Sequence, residues 1–289
     1  MGTLYLVATP IGNLEDITMR ALRVLREAPL IAAEDTRHTR KLLTHFSIGT
    51  PLISYHEHSP QARRDALLAA LSEGDVALVS DAGTPAISDP GQDLVREALA
   101  AGFPVVPIPG AVAAISALIA SGLPTDTFTF LGFLPRKPAE RRAVLESVRA
   151  EPRTLILYEA PHRLPALLDD LLVVLGDRQM VAARELTKLH EEWLRGPVST
   201  IRAHYTTATP RGEYTLVIAG ASATETSALP ADEQDQRSPE EIARERLRAL
   251  LEQGMRTREA ASQVAQALGL PKREVYRLAL DLAEGDAED

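Results

Sequence analysis

Cysteine is absent from this 289-residue chain. That excludes disulfides, thiolate metal sites and a cysteine nucleophile, and it suits a reducing cytoplasm. A long apolar run is missing too. The longest weakly polar stretch, residues 111–123, is broken by Ser116, Ser121 and Gly122 and is too short to cross a bilayer of ~30 Å. The amino terminus enters strand-like sequence at residues 3–8 without a basic n-region or cleavage site, and Leu6 breaks the myristoylation pattern. Neither a signal peptide nor a lipid anchor is expected, and a cytoplasmic location is.

Positive charge is also in short supply. The formal net charge of −9 argues against a generic nucleic-acid coat, which needs a basic surface. It leaves room for local patches at Arg37, His38, Arg40 and Lys41, at Arg63 and Arg64, and at Arg136, Lys137, Arg141 and Arg142. Each patch, taken singly, reads first as a solvated helix face. Four catalytic signatures are missing: G-x-G-x-x-G after the first strand, G-x-x-x-x-G-K-[ST], H-E-x-x-H and G-x-S-x-G. Nicotinamide enzymes, P-loop NTPases, zincins and serine hydrolases are thereby disfavoured. His56, Glu57 and His58 lack a third ligand and read as a surface-loop pair, so no metal is expected.

What is present is an α/β pattern. A hydrophobic share of 45% and a charged share of 25% describe an ordinary globular chain, long enough for two domains. Short apolar strands are expected at residues 4–8, 30–33, 52–54, 76–80 and 105–108, with amphipathic helices at 18–27, 37–46, 60–72 and 93–101. Strands alternating with such helices form βαβ units around a parallel sheet. A second α/β segment has strand candidates at 128–132, 154–158, 180–183, 198–201 and 214–219, and helices at 139–149 and 163–175. Its irregular spacing predicts a mixed sheet. Residues 221–237 are small, polar and acidic and read as a linker. Ser238, Pro239 and Glu241 then carry a helix-start signature. Helical patterns at 258–267 and 271–282, separated by Gly269, suggest a helix-turn-helix-like module. Its basic and acidic residues nearly balance, so a docking role fits better than reading the major groove. The domains are therefore 1–120, 121–220, the linker 221–237 and the module 238–289.

Four loops in the first segment share one character: residues 9–17, 34–37, 80–91 and 107–114. In a parallel sheet they emerge on one edge, where open α/β sheets bind ligands, and together they outline a cleft. Proline and glycine make the loop at 80–91 stiff and open to close approach by a ligand. Within it, Asp89 reads as a cap for the helix that follows.

The ordered set LYLVATPIGNLEDI, AEDTR, SDAGTPAISDPG, PIPGAVAAISAL, LYEAPHR and GEYTLVIAG, spanning about residues 3–220, resembles the tetrapyrrole methylase superfamily. Its porphyrinoid members carry G-A-G-P-G-D after the first strand and G-D-P at the fourth. This chain has ATPIGNLE at 8–15 and Ser80-Asp81-Ala82. That departure points to the ribosomal branch, the small-subunit rRNA cytidine 2′-O-methyltransferases. The resemblance implies two α/β domains of tetrapyrrole-methylase type with S-adenosylmethionine held between them. It also implies a homodimer acting on RNA of the assembled small ribosomal subunit.

By the same resemblance, cofactor contacts fall at Pro10, Asp81, Gly83, Thr84, Pro109, Gly110, Ala113, Tyr158 and Glu213. Methylating a ribose hydroxyl gains from a base near it, worth about 10²–10⁴-fold. Cleft position nominates Glu34 or Asp35, then Glu159. Arg37 and Arg163 are the candidates for RNA phosphates, joined by Lys41, Arg136 and Lys137. Two other functions stay open: a methyltransferase on a tetrapyrrole or other small substrate, and a non-catalytic adaptor.

Overall fold

The structure is a computed structural model that describes residues 1–56, 58–222, 243–244, 247–248, 250–251, 255, 257–268 and 270–285. Most of the expected linker, the helix-start residues Ser238, Pro239 and Glu241, and Gly269 and Glu57 lie outside the described residues. The chain divides into two compact units, Met1–Thr226 and Ser227–Asp289.

The first unit holds two five-stranded sheets. β1 (Leu4–Val7), β2 (Leu30–Ala33), β3 (Leu52–Ser54), β4 (Val76–Val79) and β5 (Val105–Ile108) lie in the order β3-β2-β4-β1-β5. Every pairing among them is parallel. The apolar run of β4 is buried on both faces, as its composition requires. Ala77 and Val79 join one core cluster with Val7, Ile31 and Ile108, while Val76 and Leu78 join another with Leu4 and Ala32. α1 (Met19–Glu27) and α2 (Thr36–His45) cover the first face through Leu25 and Leu43. α3 (Gln61–Glu73) and α4 (Gln92–Ala100) cover the second through Leu67, Leu71 and Leu94.

β6 (Phe128–Phe133), β7 (Thr154–Glu159), β8 (Gln179–Arg184), β9 (Glu192–Pro197) and β10 (Tyr214–Ile218) form a mixed sheet in the order β6-β7-β10-β8-β9. β6 runs parallel to β7, and the other three pairings are antiparallel. One face packs on α6 (Pro138–Ser147), α7 (Leu164–Val174) and α8 (Val198–Thr207) through Leu145, Leu168, Leu171 and Ile201. The other face packs on α5 (Ala113–Ser121), where Ala114, Ala117 and Leu118 meet Ile156, Val181 and Val217. The chain thus changes sheets just before α5, earlier than the expected boundary at 120.

One expected strand is a helix. Residues 198–201 open α8, with Pro197 at its N-cap and Val198 and Ile201 buried one turn apart. A β-branched run imitates a strand, but its apolar spacing is the three-residue helical step. The strand here is β9, an edge whose Gly196 and Pro197 mask its signal. In the second unit α9 (Thr257–Leu268) and α10 (Lys272–Gly285) bury Ala261, Val264, Val275 and Leu278 together. Among the described residues, no helix is long and apolar enough to cross a membrane.

β10 is central to the mixed sheet, and Leu216 on it is fully buried. Leu216→Ala is expected to lower unfolding free energy by about 2–5 kcal/mol. A urea unfolding curve monitored by circular dichroism checks this.

Candidate active site

The four loops converge, and they bond to one another. Thr9 N–H donates to the Gly83 carbonyl at 2.8 Å, and Gly83 N–H returns to the Thr9 carbonyl at 3.1 Å. Ala8 N–H donates to the Ile108 carbonyl at 3.2 Å. The Asp81 carboxylate accepts from Asp35 N–H at 2.9 Å, while Asp81 N–H donates to the Glu34 carboxylate at 3.3 Å. The Thr84 hydroxyl donates to the Ala111 carbonyl at 3.2 Å. A Cβ at Gly110 would stand 2.8 Å from Ala8 Cβ, so only glycine lets the fourth loop lie this close to the first.

Between this sheet edge and the second sheet opens a cleft of about 450 Å³, a volume suited to a small ligand. Gly83, Thr84, Ile87 and Asp89 line it from the loop after β4, and Ala113 from the start of α5. Tyr158, Glu159, Leu186 and Glu213 face them from the second sheet and its loops. Ala114 N–H donates to the Tyr158 hydroxyl at 3.1 Å, satisfying one of the free amides at the start of α5. Phe130 and Phe133 pack their rings on Tyr158 at 5.1 and 5.5 Å and hold it there.

Of the expected cofactor contacts, Gly83, Thr84, Ala113, Tyr158 and Glu213 line the cleft. Pro10, Asp81, Pro109 and Gly110 are not among its lining residues; Asp81 and Gly110 instead join the loops behind it. The three candidate bases stand apart. Glu159 lines the cleft, buried and paired with Arg163 at 3.1 Å. Glu34 lines a neighbouring cavity. Asp35 caps α2 by accepting from Arg37 N–H at 2.8 Å and pairs with the Arg37 guanidinium. That guanidinium holds the Asp35 carboxyl far below the usual carboxylate range, which makes it a poor proton acceptor.

The basic candidates divide as well. Arg37 and Lys41 line a shallow exposed groove along α2 with Arg40 and His45. Arg136 and Lys137 are exposed, and Lys137 pairs with Glu140 at 2.8 Å. Arg163 is half-buried and donates to the carbonyls of Leu134 and Pro135 at 2.6 and 3.2 Å, so it braces the protein's own turn. Arg141 and Arg142 both engage the buried Asp170 at 2.6 Å.

Several cleft residues carried no expectation. Lys188 bridges Glu185 and Glu213 at 2.9 and 2.8 Å across the mouth, on a loop without a recognisable motif. Asp89 is a correction: α4 is capped by Gly91 without a side-chain bond, so Asp89 is free to face the cleft. Burial first, and then the Glu34 carboxylate, push its carboxyl up to about 6. Burial also raises Glu34 and Glu159 above the usual range. Among the described residues, no three His, Asp or Glu side chains gather as a metal site, and His56 and His58 face the cavity beside the cleft.

Comparison with known proteins agrees with this architecture. A family model for Tetrapyrrole (Corrin/Porphyrin) Methylases matches residues 3–202. A second model, the RsmI C-terminal HTH domain, matches residues 236–283. The fold is similar to that of diphthine synthase (TM-score 0.60, 16% identity, 76% of this chain and 90% of that one). It is also similar to uroporphyrin-III-C-methyltransferase from Thermus thermophilus (TM-score 0.55, 24% identity, 78% and 96%). The fold is that of a tetrapyrrole methylase. Ribosomal RNA small subunit methyltransferase I of Synechocystis is 53% identical over 98% of this chain and 99% of its own length. Its counterpart in Escherichia coli O157:H7 is 48% identical over 97% and 95%. The chain belongs to the ribosomal RNA small subunit methyltransferase I family.

The raised Asp89 has a consequence for stability. A carboxyl that ionises near pH 6 when folded and near 3.8 when unfolded holds its proton longer in the native state. Its contribution therefore favours folding at low pH and is lost as pH rises through about 6. Asp89→Asn is expected to raise the melting temperature at pH above about 7 and to leave it little changed near pH 3, by differential scanning calorimetry.

Proposed function

We propose that the protein methylates the 2′-hydroxyl of a cytidine in small-subunit ribosomal RNA, with S-adenosylmethionine as methyl donor. The observation that carries this reading is full-length similarity to ribosomal RNA small subunit methyltransferases, combined with a cleft whose chemistry suits the donor. S-adenosylmethionine supplies an electrophilic methyl group on a positively charged sulfur.

The residues fit such a molecule. Gly83, Thr84 and Ala113 offer a wall of backbone and small side chains, and Ile11, Ile87, Val112 and Leu186 supply apolar surface for a flat base. Glu159 Oε2 is buried without a hydrogen-bond partner, so the cleft holds an acceptor ready for a ligand's hydroxyl or amine. Glu159 and Asp89 bring negative charge to the same space, which suits a cation. Glu213 and Lys188 offer one charge of each sign at the mouth, as an amino-acid end requires.

Arg37 and Lys41 on α2, with Arg136 and Lys137, are the proposed contacts for RNA phosphates. Arg163 is left out because its guanidinium serves the backbone. A local basic groove on an acidic protein favours a structured substrate that presents phosphates at defined places, which supports action on the assembled subunit. We further infer a cytoplasmic homodimer. Support comes from the exposed apolar side chains Ile115 and Ile119 on α5, whose opposite face is buried on the second sheet.

Mass mapping of small-subunit rRNA from a strain lacking this gene is expected to reveal one ribose methyl fewer, restored by the purified protein. Unchanged rRNA would contradict the reading. Arg37→Glu with Lys41→Glu is expected to raise KM for the subunit roughly tenfold or more and to flatten its salt dependence. Steady-state assays at two salt concentrations check it.

A further inference from the structure

A second cavity of about 630 Å³ opens beside the cleft, lined by Glu34, Tyr55, His56, His58, Gln92 and Asp93 among others. The two cavities share a wall: Ser88 and Asp89 belong to both. Among the described residues, Asp89 is the one carboxylate that faces both spaces. The segment carrying it is held under backbone strain. Ala86 and Ser88 have φ of 68° and 59°, a region that residues other than glycine avoid and that persists only where surroundings enforce it. The enforcement comes partly from the second sheet. Gly132 on β6 lies so near that a Cβ there would stand 2.7 Å from Ser88 Oγ. Asp89 is thus fixed at the junction from two sides.

Resting on the methyl-transfer reading above, we propose that the second cavity receives the acceptor ribonucleoside and that Asp89 is the catalytic residue that takes the proton from its ribose hydroxyl. The oxygen–carbon bond forms as the sulfur–carbon bond of the donor breaks, with the electron pair left on sulfur. The hydroxyl proton passes to the Asp89 carboxylate. One sulfonium cation and one carboxylate anion become a neutral thioether and a neutral acid, so charge balances.

The lining supports this division of labour. Glu34, Asp89 and Asp93 repel a phosphate, so sugar and base enter while the phosphates stay outside. A carboxylate such as Glu34 can accept from the exocyclic amine that cytosine has and uracil lacks. The other carboxylates are placed for different work. Asp35 caps α2, Glu159 is locked to Arg163 on the far wall of the cleft, and Glu34 reaches only the second cavity. The groups that face Asp89 are Glu34 from the loop after β2, Asp81 and the Ser80 hydroxyl from its own loop, and Tyr158 from β7. His56, His58 and Asp93 line the cavity with it. Burial and the neighbouring Glu34 and Asp81 raise its carboxyl to about 6, near the working range a general base needs.

The test uses the full-length protein, labelled S-adenosylmethionine and small ribosomal subunits that lack the methyl group. Wild-type kcat/KM should rise with pH through about 6 and then level. Asp89→Asn should lower kcat by about 100-fold or more and abolish that limb, a loss that saturating S-adenosylmethionine does not restore. Asp89→Glu, which keeps the charge, should recover part of kcat and retain the limb, and it serves if the amide fails to fold. Gln92→Trp, at an exposed position, should fill the second cavity. It should raise KM for the subunits and weaken their retention on filters without any methyl donor present. Asp89→Asn with wild-type kcat and pH profile overturns the base assignment, and Gln92→Trp with unchanged KM and retention overturns the cavity assignment. Subunits left unmethylated by the wild-type protein overturn the function itself, and the proposal with it. Equal rates of methylation by wild type and Asp89→Asn overturn the base assignment and leave the function standing.

Discussion

The site depends on hydrogen bonds that join the loops at one edge of the parallel sheet. Asp81 is the centre of that lattice. Its carboxylate takes the amide of Asp35 while its own amide serves Glu34, so the loops after β2 and β4 cannot move apart. The Thr9–Gly83 exchange binds the loop after β1 to the same group, and Thr84 reaches the segment that opens α5. These contacts use backbone amides and short side chains, which have little rotamer freedom to lose. The result is a fixed wall on which a second sheet can close.

Closure itself is hydrophobic. α5 leaves the edge of the first sheet and lies across the second, burying Ala117 and Leu118 against Ile156, Val181 and Val217. The Tyr158 hydroxyl then accepts an amide at the start of that helix. The cleft is therefore bounded by elements that belong to one compact unit, and its carboxylates differ in role through their surroundings. Asp35 is held ionised by Arg37, Glu159 is buried beside Arg163, and Asp89 is raised by burial near Glu34.

Much of this was legible in the sequence. The short apolar runs of the first sheet need no tertiary information, because strands buried on both faces must be apolar throughout. The convergence of four loops followed from the parallel topology. Gly83, Thr84, Ala113, Tyr158 and Glu213 were reachable through motif resemblance, and all five line the cleft. Other features were not legible. β9 carries Gly196 and Pro197 at an edge, and α8 opens on a β-branched run, so local propensity pointed to the wrong element. Arg163 read as a free cation because sequence cannot reveal that Leu134 and Pro135 carbonyls claim it. Asp89 read as a cap because acidic residues just before a helix often cap it, whereas Gly91, two residues on, takes the N-cap position.

Methyl transfer here requires one arrangement: a methyl donor in the cleft, an acceptor in the adjoining cavity, and Asp89 where they meet. A crystal structure with S-adenosylmethionine bound tests it most directly. The donor is expected between Thr84 and Tyr158, with its methyl group directed toward Asp89 and the second cavity left open. A donor bound elsewhere, or one whose methyl faces away from Asp89, would contradict it.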